Sequence, residues 1–365
     1  MATINQLEQT NKYRILVINA GAASTKFAVF EDHEEVFTRK IEHSQSDLQS
    51  YIDINEQYCY RKNIILDTLQ LAGIPMNAFD AIVARGGLLL PLEGGTYRIN
   101  EKMAEHLKAG IQGQHASNLS GLIAYDLAKE LKIPAFTVDP VSVDELEPVA
   151  RISGLAELER KSLSHALNMK AVARKVAAEM GKNYNEVNFI VVHLGSGISV
   201  APHQTGRMVD VNNPMSGGPF ATDRCGGLPS AELAELCFSG KYTREQMLSK
   251  LYKEGGLYSY FGTKDVREVE KFAEQGNKKA ELVLEAMAYQ TAKEIGAMAT
   301  VLQGKVDKII LTGGIAYSDF ITSKIISRVN WIAPVVIKPG EEELCALAAG
   351  ALRVLKGEER VKEYA

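Results

Sequence analysis

Only four cysteines occur in 365 residues (Cys59, Cys225, Cys237 and Cys345), and no two form a C-x-x-C pair. That leaves no frame for a disulfide scaffold or a cysteine zinc site, so they read as free thiols in a reducing compartment. No uncharged apolar run approaches the length of a membrane span. The stretch from Met1 to Arg14 is polar and lacks the apolar core of a signal peptide. These two absences make a soluble cytoplasmic protein the expectation. An excess of basic charge is missing too, since 41 Lys and Arg stand against 45 Asp and Glu, a net charge of −4. Nucleic acid and anionic membranes therefore gain no general attraction, and any anionic ligand has to be held by local groups. Neither G-x-x-x-x-G-K-[ST] nor a G-x-G-x-x-G opening a helix occurs. No Pro-rich or low-complexity linker divides the chain.

What is present is a pattern that occurs twice. Ile15-Leu16-Val17-Ile18 leads into Asn19-Ala20-Gly21-Ala22-Ala23-Ser24-Thr25-Lys26, and Phe27-Ala28-Val29-Phe30 follows. Phe189-Ile190-Val191-Val192 leads into His193-Leu194-Gly195-Ser196-Gly197, and Ile198-Ser199-Val200-Ala201 follows. Each copy reads as a strand, a turn of tiny residues and a returning strand. Such turns let backbone N–H groups come close to an anion. Two of them half a chain apart suggest a duplicated domain with phosphate held between the halves. At 365 residues, with 46% apolar and 24% charged residues, two domains of an ordinary globular enzyme are expected.

The spacing predicts a third strand over 36–41, a helix over 56–72, and a short strand over 79–84 delivering Arg85-Gly86-Gly87. A helix follows over 117–131, capped by Ser117 or Asn118, and then a strand over 134–138 ending at Asp139-Pro140. From about residue 165 the order restarts, with a helix over 165–180, the second hairpin, and a third strand over 206–211. Residues 212–229 are too rich in Gly and Pro for regular structure. A long helix over 278–303 precedes the strand Lys308–Leu311, which enters Thr312-Gly313-Gly314-Ile315-Ala316. A small-residue helix suited to close packing closes the chain over 342–356. Alternating strands and helices of this kind argue α/β with mixed sheets.

Several residues invite chemistry, each with a plainer alternative. Ser24 and Lys26 could serve a phosphate cradle or simply end a hairpin. Arg85, at a strand end before two glycines, can grip a carboxylate or phosphate through two parallel hydrogen bonds, or be a solvated turn residue. Arg224, inside the Gly-rich loop, is a candidate transition-state clamp able to swing in; the alternative is a loop arginine paired with Asp223. Asp139 suits a metal-binding carboxylate. Glu341-Glu342-Glu343 suits a helix N-terminus, or one ligand to hydrated Mg²⁺. His115, His165 and His193 sit at element edges, where a lone histidine is usually structural.

Taken together, Asn19-x-Gly21 with Ser24-x-Lys26, His193-Leu194-Gly195-x-Gly197 and Thr312-Gly313-Gly314-Ile315-Ala316 resemble the signature blocks of the acetate kinase family. That family belongs to the actin-like ATPase superfamily, and the resemblance spans nearly the whole chain. Further matching blocks are Arg85-Gly86-Gly87-Leu88-Leu89, His115-Ala116-Ser117-Asn118-Leu119, Val138-Asp139-Pro140-Val141, Arg160-Lys161-Ser162 with His165-Ala166-Leu167-Asn168, and Val209-Asp210-Val211-Asn212-Asn213. The resemblance implies two duplicated actin-like, ribonuclease H-like domains with mixed five-stranded sheets flanked by helices and a cleft between them. Their expected bounds are 1–141 with 342–365, and 142–341.

It implies reversible transfer of the ATP γ-phosphoryl group to the carboxylate of a short fatty acid, giving an acyl phosphate and ADP. Butyrate leads as acceptor, with acetate, propionate and isobutyrate as alternatives; a non-enzymatic ATP-dependent binding module is the alternative from another class. Carried across, Arg85, Arg224, His193, His115 and Asp139 are catalytic. Asn19, Gly21, Ser24, Lys26, Gly195, Ser196, Gly197, Gly313, Gly314 and Ile315 bind nucleotide, and Asn19, Asp139 and Glu343 arrange Mg²⁺. A homo-oligomer, dimer or larger, is also implied.

The chain departs from the family pattern at four places. Ala22 stands where Ser is usual, and Ala20 where Pro is found in the most similar blocks. Cys225 stands where Ser is common. Lys161-Ser162-Leu163-Ser164-His165 replaces H-G-T-S-H, which keeps one histidine and offers Lys161 as a substitute donor.

Overall fold

The computed structural model describes residues 12–51 and 53–365. It divides into two compact units, Met1–Leu90 with Gly95–Pro140 and Glu343–Ala365, and Pro91–Gly94 with Val141–Glu342. Among the described residues there are twelve strands. In the first unit these are β1 (Arg14–Ala20), β2 (Ser24–Glu31), β3 (Glu34–Glu42), β4 (Ala81–Ala84), β5 (Thr96–Arg98), β6 (Ala135–Val138) and, late in the chain, β12 (Lys362–Glu363). In the second they are β7 (Asn188–Leu194), β8 (Ile198–Gln204), β9 (Arg207–Met208), β10 (Lys308–Gly313) and β11 (Val335–Pro339).

The two sheets share one plan. In the first, β1, β2 and β3 form an antiparallel meander, β4 lies parallel to β1 and β6 parallel to β4. In the second, β7, β8 and β9 form the meander, β10 lies parallel to β7 and β11 parallel to β10. The duplication legible in the two hairpins thus extends to the strand order of each sheet. The expected count of five strands holds for the second sheet only. In the first, β5 and β12 extend one edge to seven, in the order β12-β5-β6-β4-β1-β2-β3. Both additions are short and polar-tipped (Thr-Tyr-Arg and Lys-Glu), too brief to carry an alternating pattern.

The inner strands are buried on both faces, as parallel strands covered by helices are. Ile15 to Ile18, all of β4, and Phe189 to Val192 are wholly or almost wholly buried. Helices Ala116–Leu131 and Glu343–Leu355 pack on the first sheet. At Gly350 an added Cβ would come within 2.5 Å of Val138 Cγ2, so the small-residue helix does pack as closely as its composition suggests. Lys278–Val301 covers β8 of the second sheet.

Two local expectations are corrected. The helix Ala116–Leu131 is capped by His115, whose Nδ1 accepts from Ser117 N, and not by Ser117 or Asn118. Asn118 is instead wholly buried. It accepts from Leu88 N and donates to the Leu107 and Gly113 carbonyls, tying the Gly87 turn to the helix. The strand expected over 206–211 ends at Met208 because Asn212 takes over the edge of β8. Its Oδ1 accepts from Val200 N and its Nδ2 donates to Ile198 O, a side chain standing in for backbone.

Candidate active site

In the first unit, three distant segments converge. Asn19 near the end of β1 donates through Nδ2 to Glu343 Oε2 at 2.6 Å. Arg85, just past β4, brings Nη1 to 3.1 Å from Glu343 Oε1. Glu343 opens the helix Glu343–Leu355, where a carboxylate is favoured by the helix dipole. Its neighbour Glu342 is exposed and belongs to the other unit, where it lies 3.5 Å from Lys175 Nζ. Of the two, Glu343 is the one that meets Asn19 and Arg85. Arg85 leaves the sheet in register because its N–H still bonds Ile18 O. The glycines behind it are required by packing. A Cβ at Gly86 would meet Thr137 Oγ1 at 2.6 Å, and one at Gly87 would overlap the Asn118 amide.

Asp139 has a different setting. It is wholly buried with a left-handed φ of 39°, an uncommon backbone for a residue with a side chain. Gly95 fixes it from both sides: Gly95 N donates to Asp139 Oδ1 at 2.7 Å, and Asp139 N donates to Gly95 O at 3.0 Å. His115 is held by its capping bond and by Ser117 Oγ at 2.7 Å. The residue is exposed at its rim, yet desolvation of the ring, and then the neighbouring Arg85 charge, push its pKa below the ordinary imidazole value. Lys26 is exposed and pairs in register with Asn19 across the hairpin.

Sequence reasoning missed the group behind the first turn. Arg61, in the helix Tyr58–Leu71, is wholly buried. It donates to the carbonyls of Ala22 and Ser24, to Thr25 Oγ1 and to Gln57 Oε1. Within a helical pattern it reads as a solvated residue; nothing in the sequence marks it.

In the second unit, His193 is buried near the end of β7, with Nδ1 2.9 Å from Asn168 Nδ2. Asn168 also reaches Thr312 Oγ1 at 3.3 Å. His165, the histidine kept from the altered block, stacks on His193 with ring centroids 3.8 Å apart, and its Nδ1 lies 3.0 Å from Ser199 Oγ. Lys161 is exposed. His193 Nε2 is buried without a hydrogen-bond partner, with Glu341 Oε1 3.2 Å away.

The glycines of the second turn make room for side chains. A Cβ on Gly195 would sit 2.9 Å from His193 Nε2, and one on Gly197 would overlap Arg224 Nη1. Ser196 between them is exposed. Arg224 is mostly buried, and that burial lowers its pKa against the opposing charge of Asp223. Asp223 itself hydrogen-bonds Lys264 Nζ at 3.0 Å. The loop that carries Arg224 is held along its main chain: Ala221 N donates to Arg224 O, Gly255 N to Asp223 O and Cys225 N to Leu251 O. What is left to move is the Arg224 side chain. Gly313 has φ 89°, and its Cβ position is filled by Leu194 backbone, whereas Gly314 faces open space. Ile315 belongs to the apolar core.

The expected metal donors are oxygens, from the Asn19 amide and the Asp139 and Glu343 carboxylates. Among the described residues, no group of three or more His, Cys, Asp or Glu converges to hold an ion. Oxygen donors of this kind suit a hard cation such as Mg²⁺, which is commonly held by one or two carboxylates and its own waters. Among the described residues, no helix is long and apolar enough to cross a membrane.

Two sheets of one strand order, each with a hairpin ending in a turn of small residues, define the actin-like ATPase fold. Solved structures of acetate kinase from Porphyromonas gingivalis (TM-score 0.74, 17% identity, 94% of this chain and 100% of that one) and from Entamoeba histolytica (TM-score 0.73, 17%, 94% and 98%) share it. So does a propionate kinase from Francisella tularensis subsp. tularensis (TM-score 0.72, 19%, 93% and 98%). The chain belongs to the acetokinase family. The family's model matches residues 157–335, and butyrate kinase 1 of Clostridium acetobutylicum is 52% identical over 353 residues, 96% of this chain and 99% of that protein.

Proposed function

We propose that this chain is a short-chain fatty-acid kinase, moving the γ-phosphoryl group of ATP to the carboxylate of butyrate to give butyryl phosphate and ADP, and the reverse. The convergence of Arg85, Asn19 and Glu343 from three distant segments is the observation that carries it. A carboxylate acceptor is already ionised at neutral pH, so the reaction needs alignment and charge neutralisation more than a general base. The candidate groups match that need. Arg85 grips a carboxylate through its fork, and Arg224 balances the charge that develops on the transferring phosphoryl group. His193 Nε2, buried and without a hydrogen bond, is a donor position for a phosphoryl oxygen once the Glu341 carboxylate 3.2 Å away gives place, with Asn168 orienting the ring from Nδ1. His115, whose pKa lies below the ordinary imidazole value, provides a polar contact. In the turns at Gly21–Ser24, Gly195–Gly197 and Gly313–Gly314 the first N–H is bonded within the protein, to Ser24 O, Gly197 O and Gly340 O, so nucleotide would meet the N–H groups that follow it.

Asn19, Asp139 and Glu343 would hold Mg²⁺, which when bound neutralises phosphate oxygens. The 52% identity to a butyrate kinase supports butyrate as the acceptor. Chain length is discriminated weakly in apolar pockets, by about 10–200-fold per methylene. The test is acyl phosphate trapped with hydroxylamine, using ATP, Mg²⁺ and acids from acetate to valerate plus isobutyrate. A maximum at butyrate is expected, whereas ADP release that ignores added acid, with no hydroxamate, would favour an ATP-driven binding module.

A further inference from the structure

Arg61 is wholly buried, and among the described residues no carboxylate pairs with it. Burying a guanidinium without an acid is costly unless every donor is used. Here the five N–H donors make five hydrogen bonds: two to Gln57 Oε1, and one each to Ala22 O, Ser24 O and Thr25 Oγ1. Thr25 Oγ1 lies 2.8 Å from His43 Nε2, and His43 N donates to Ala23 O. Three successive carbonyls of the first turn are therefore held from behind, those of Ala22 and Ser24 by Arg61 and that of Ala23 by His43.

A trans peptide is planar, with its N–H opposite its C=O. Fixing the Ala22 and Ala23 carbonyls toward Arg61 and His43 directs the Ala23 and Ser24 N–H groups the other way. Ala22 and Ala23 are exposed, and among the described residues their N–H groups have no backbone acceptor. The turn carries Ala22 instead of a hydroxyl residue, so its backbone has to supply what a side chain does not.

We infer that Arg61 is a positioning residue of the phosphoryl site, which presets the first turn with its Ala23 and Ser24 N–H groups outward, while Gly21 N–H closes the turn onto Ser24 O, and places a fixed positive charge behind it. This rests on the acyl-kinase reading given above. Lysine can keep the charge but has no fork to span Ala22 O, Ser24 O and Gln57. Substrates that bring a phosphoryl group to the turn should then suffer, and the free acid should not.

The experiment compares wild type, Arg61→Lys, Arg61→Met and Leu69→Ala, the last removing a buried side chain from the same helix away from the turn. For Arg61→Lys, KM should rise about tenfold for ATP and for butyryl phosphate and stay within about twofold for butyrate. Arg61→Met should be worse in the same pattern, and added methylguanidinium should partly restore it. Leu69→Ala should lower the melting temperature without this split. An equal rise for all three substrates, or the same split in Leu69→Ala, would overturn the proposal. Failure of the acyl-kinase reading shows separately, as no acyl phosphate from wild type with any acid. Calorimetric ATP binding then decides the role of Arg61, and equal affinities in wild type and Arg61→Lys would refute it.

Discussion

The two hairpin turns come from the same duplicated scaffold yet are built in opposite ways. At Gly21 an added Cβ would have no neighbour closer than 3.7 Å, and the turn is shaped from behind by Arg61 and His43. At Gly195 and Gly197 the missing Cβ atoms are replaced by the His193 ring and the Arg224 guanidinium. One turn presents backbone held by a buried cation, while the other is a recess in which side chains lie. Small residues in a turn thus have two physical meanings that look alike in sequence: room for a ligand, or room for the protein itself.

The largest effect is expected where the second turn meets its arginine. Arg224→Ala should cost turnover by about 10³-fold, as loss of an arginine acting on a transferring phosphoryl group does. A folded variant with wild-type turnover would remove Arg224 from the mechanism. Arg85→Lys comes next, because it keeps the charge but loses the planar guanidinium, whose Nη1 faces both oxygens of Glu343. KM for the acid should rise about tenfold, read from the hydroxamate assay at saturating ATP. An unchanged KM would detach Arg85 from the carboxylate.

A third prediction concerns stability. The buried His43 and His203 both have folded pKa values below the ordinary 6.5, with burial the first cause in each. Below pH 6.5 the unfolded chain binds protons that the native one refuses, so stability is present above that pH and declines as pH falls. The slope is about 1.4 kcal/mol per pH unit for each such proton. His203, wholly buried with Nδ1 on the Tyr184 hydroxyl, offers the clean check. Denaturant titrations between pH 7.5 and 5.5 should show a shallower decline in His203→Gln than in wild type. Parallel declines would mean that His203 is protonated in the folded state.

The sheets were legible because their inner strands are short apolar runs bounded by turn residues, and the repeat of hairpin, helix and strand exposed the duplication. The edge strands β5 and β12 were not, since two or three residues carry no period. Arg85 and Arg224 stood out beside glycines, but why the glycines were there did not. Gly86 and Gly87 yield to Thr137 and Asn118, contacts across 30 or more positions of sequence that no local pattern encodes. Asn118 was read as a cap because its type favours caps, yet tertiary burial claimed it and His115 took the cap. Arg61 was invisible for the same reason, because its significance lies in acceptors 36 and more residues away.

The most direct test of the contrast is a paired measurement of turnover with butyrate and ATP in Gly21→Ala and Gly197→Ala. In Gly21→Ala the added methyl meets no protein atom but enters the space this account keeps for the phosphoryl ligand, so KM for ATP should rise about tenfold while turnover at saturating ATP stays within about twofold of wild type. Gly197→Ala should lose about 10²-fold or more, since the methyl must displace the Arg224 guanidinium. Equal losses in the two variants would contradict the account, showing that both turns serve the ligand in one way and that the place of Arg224 against Gly197 is incidental.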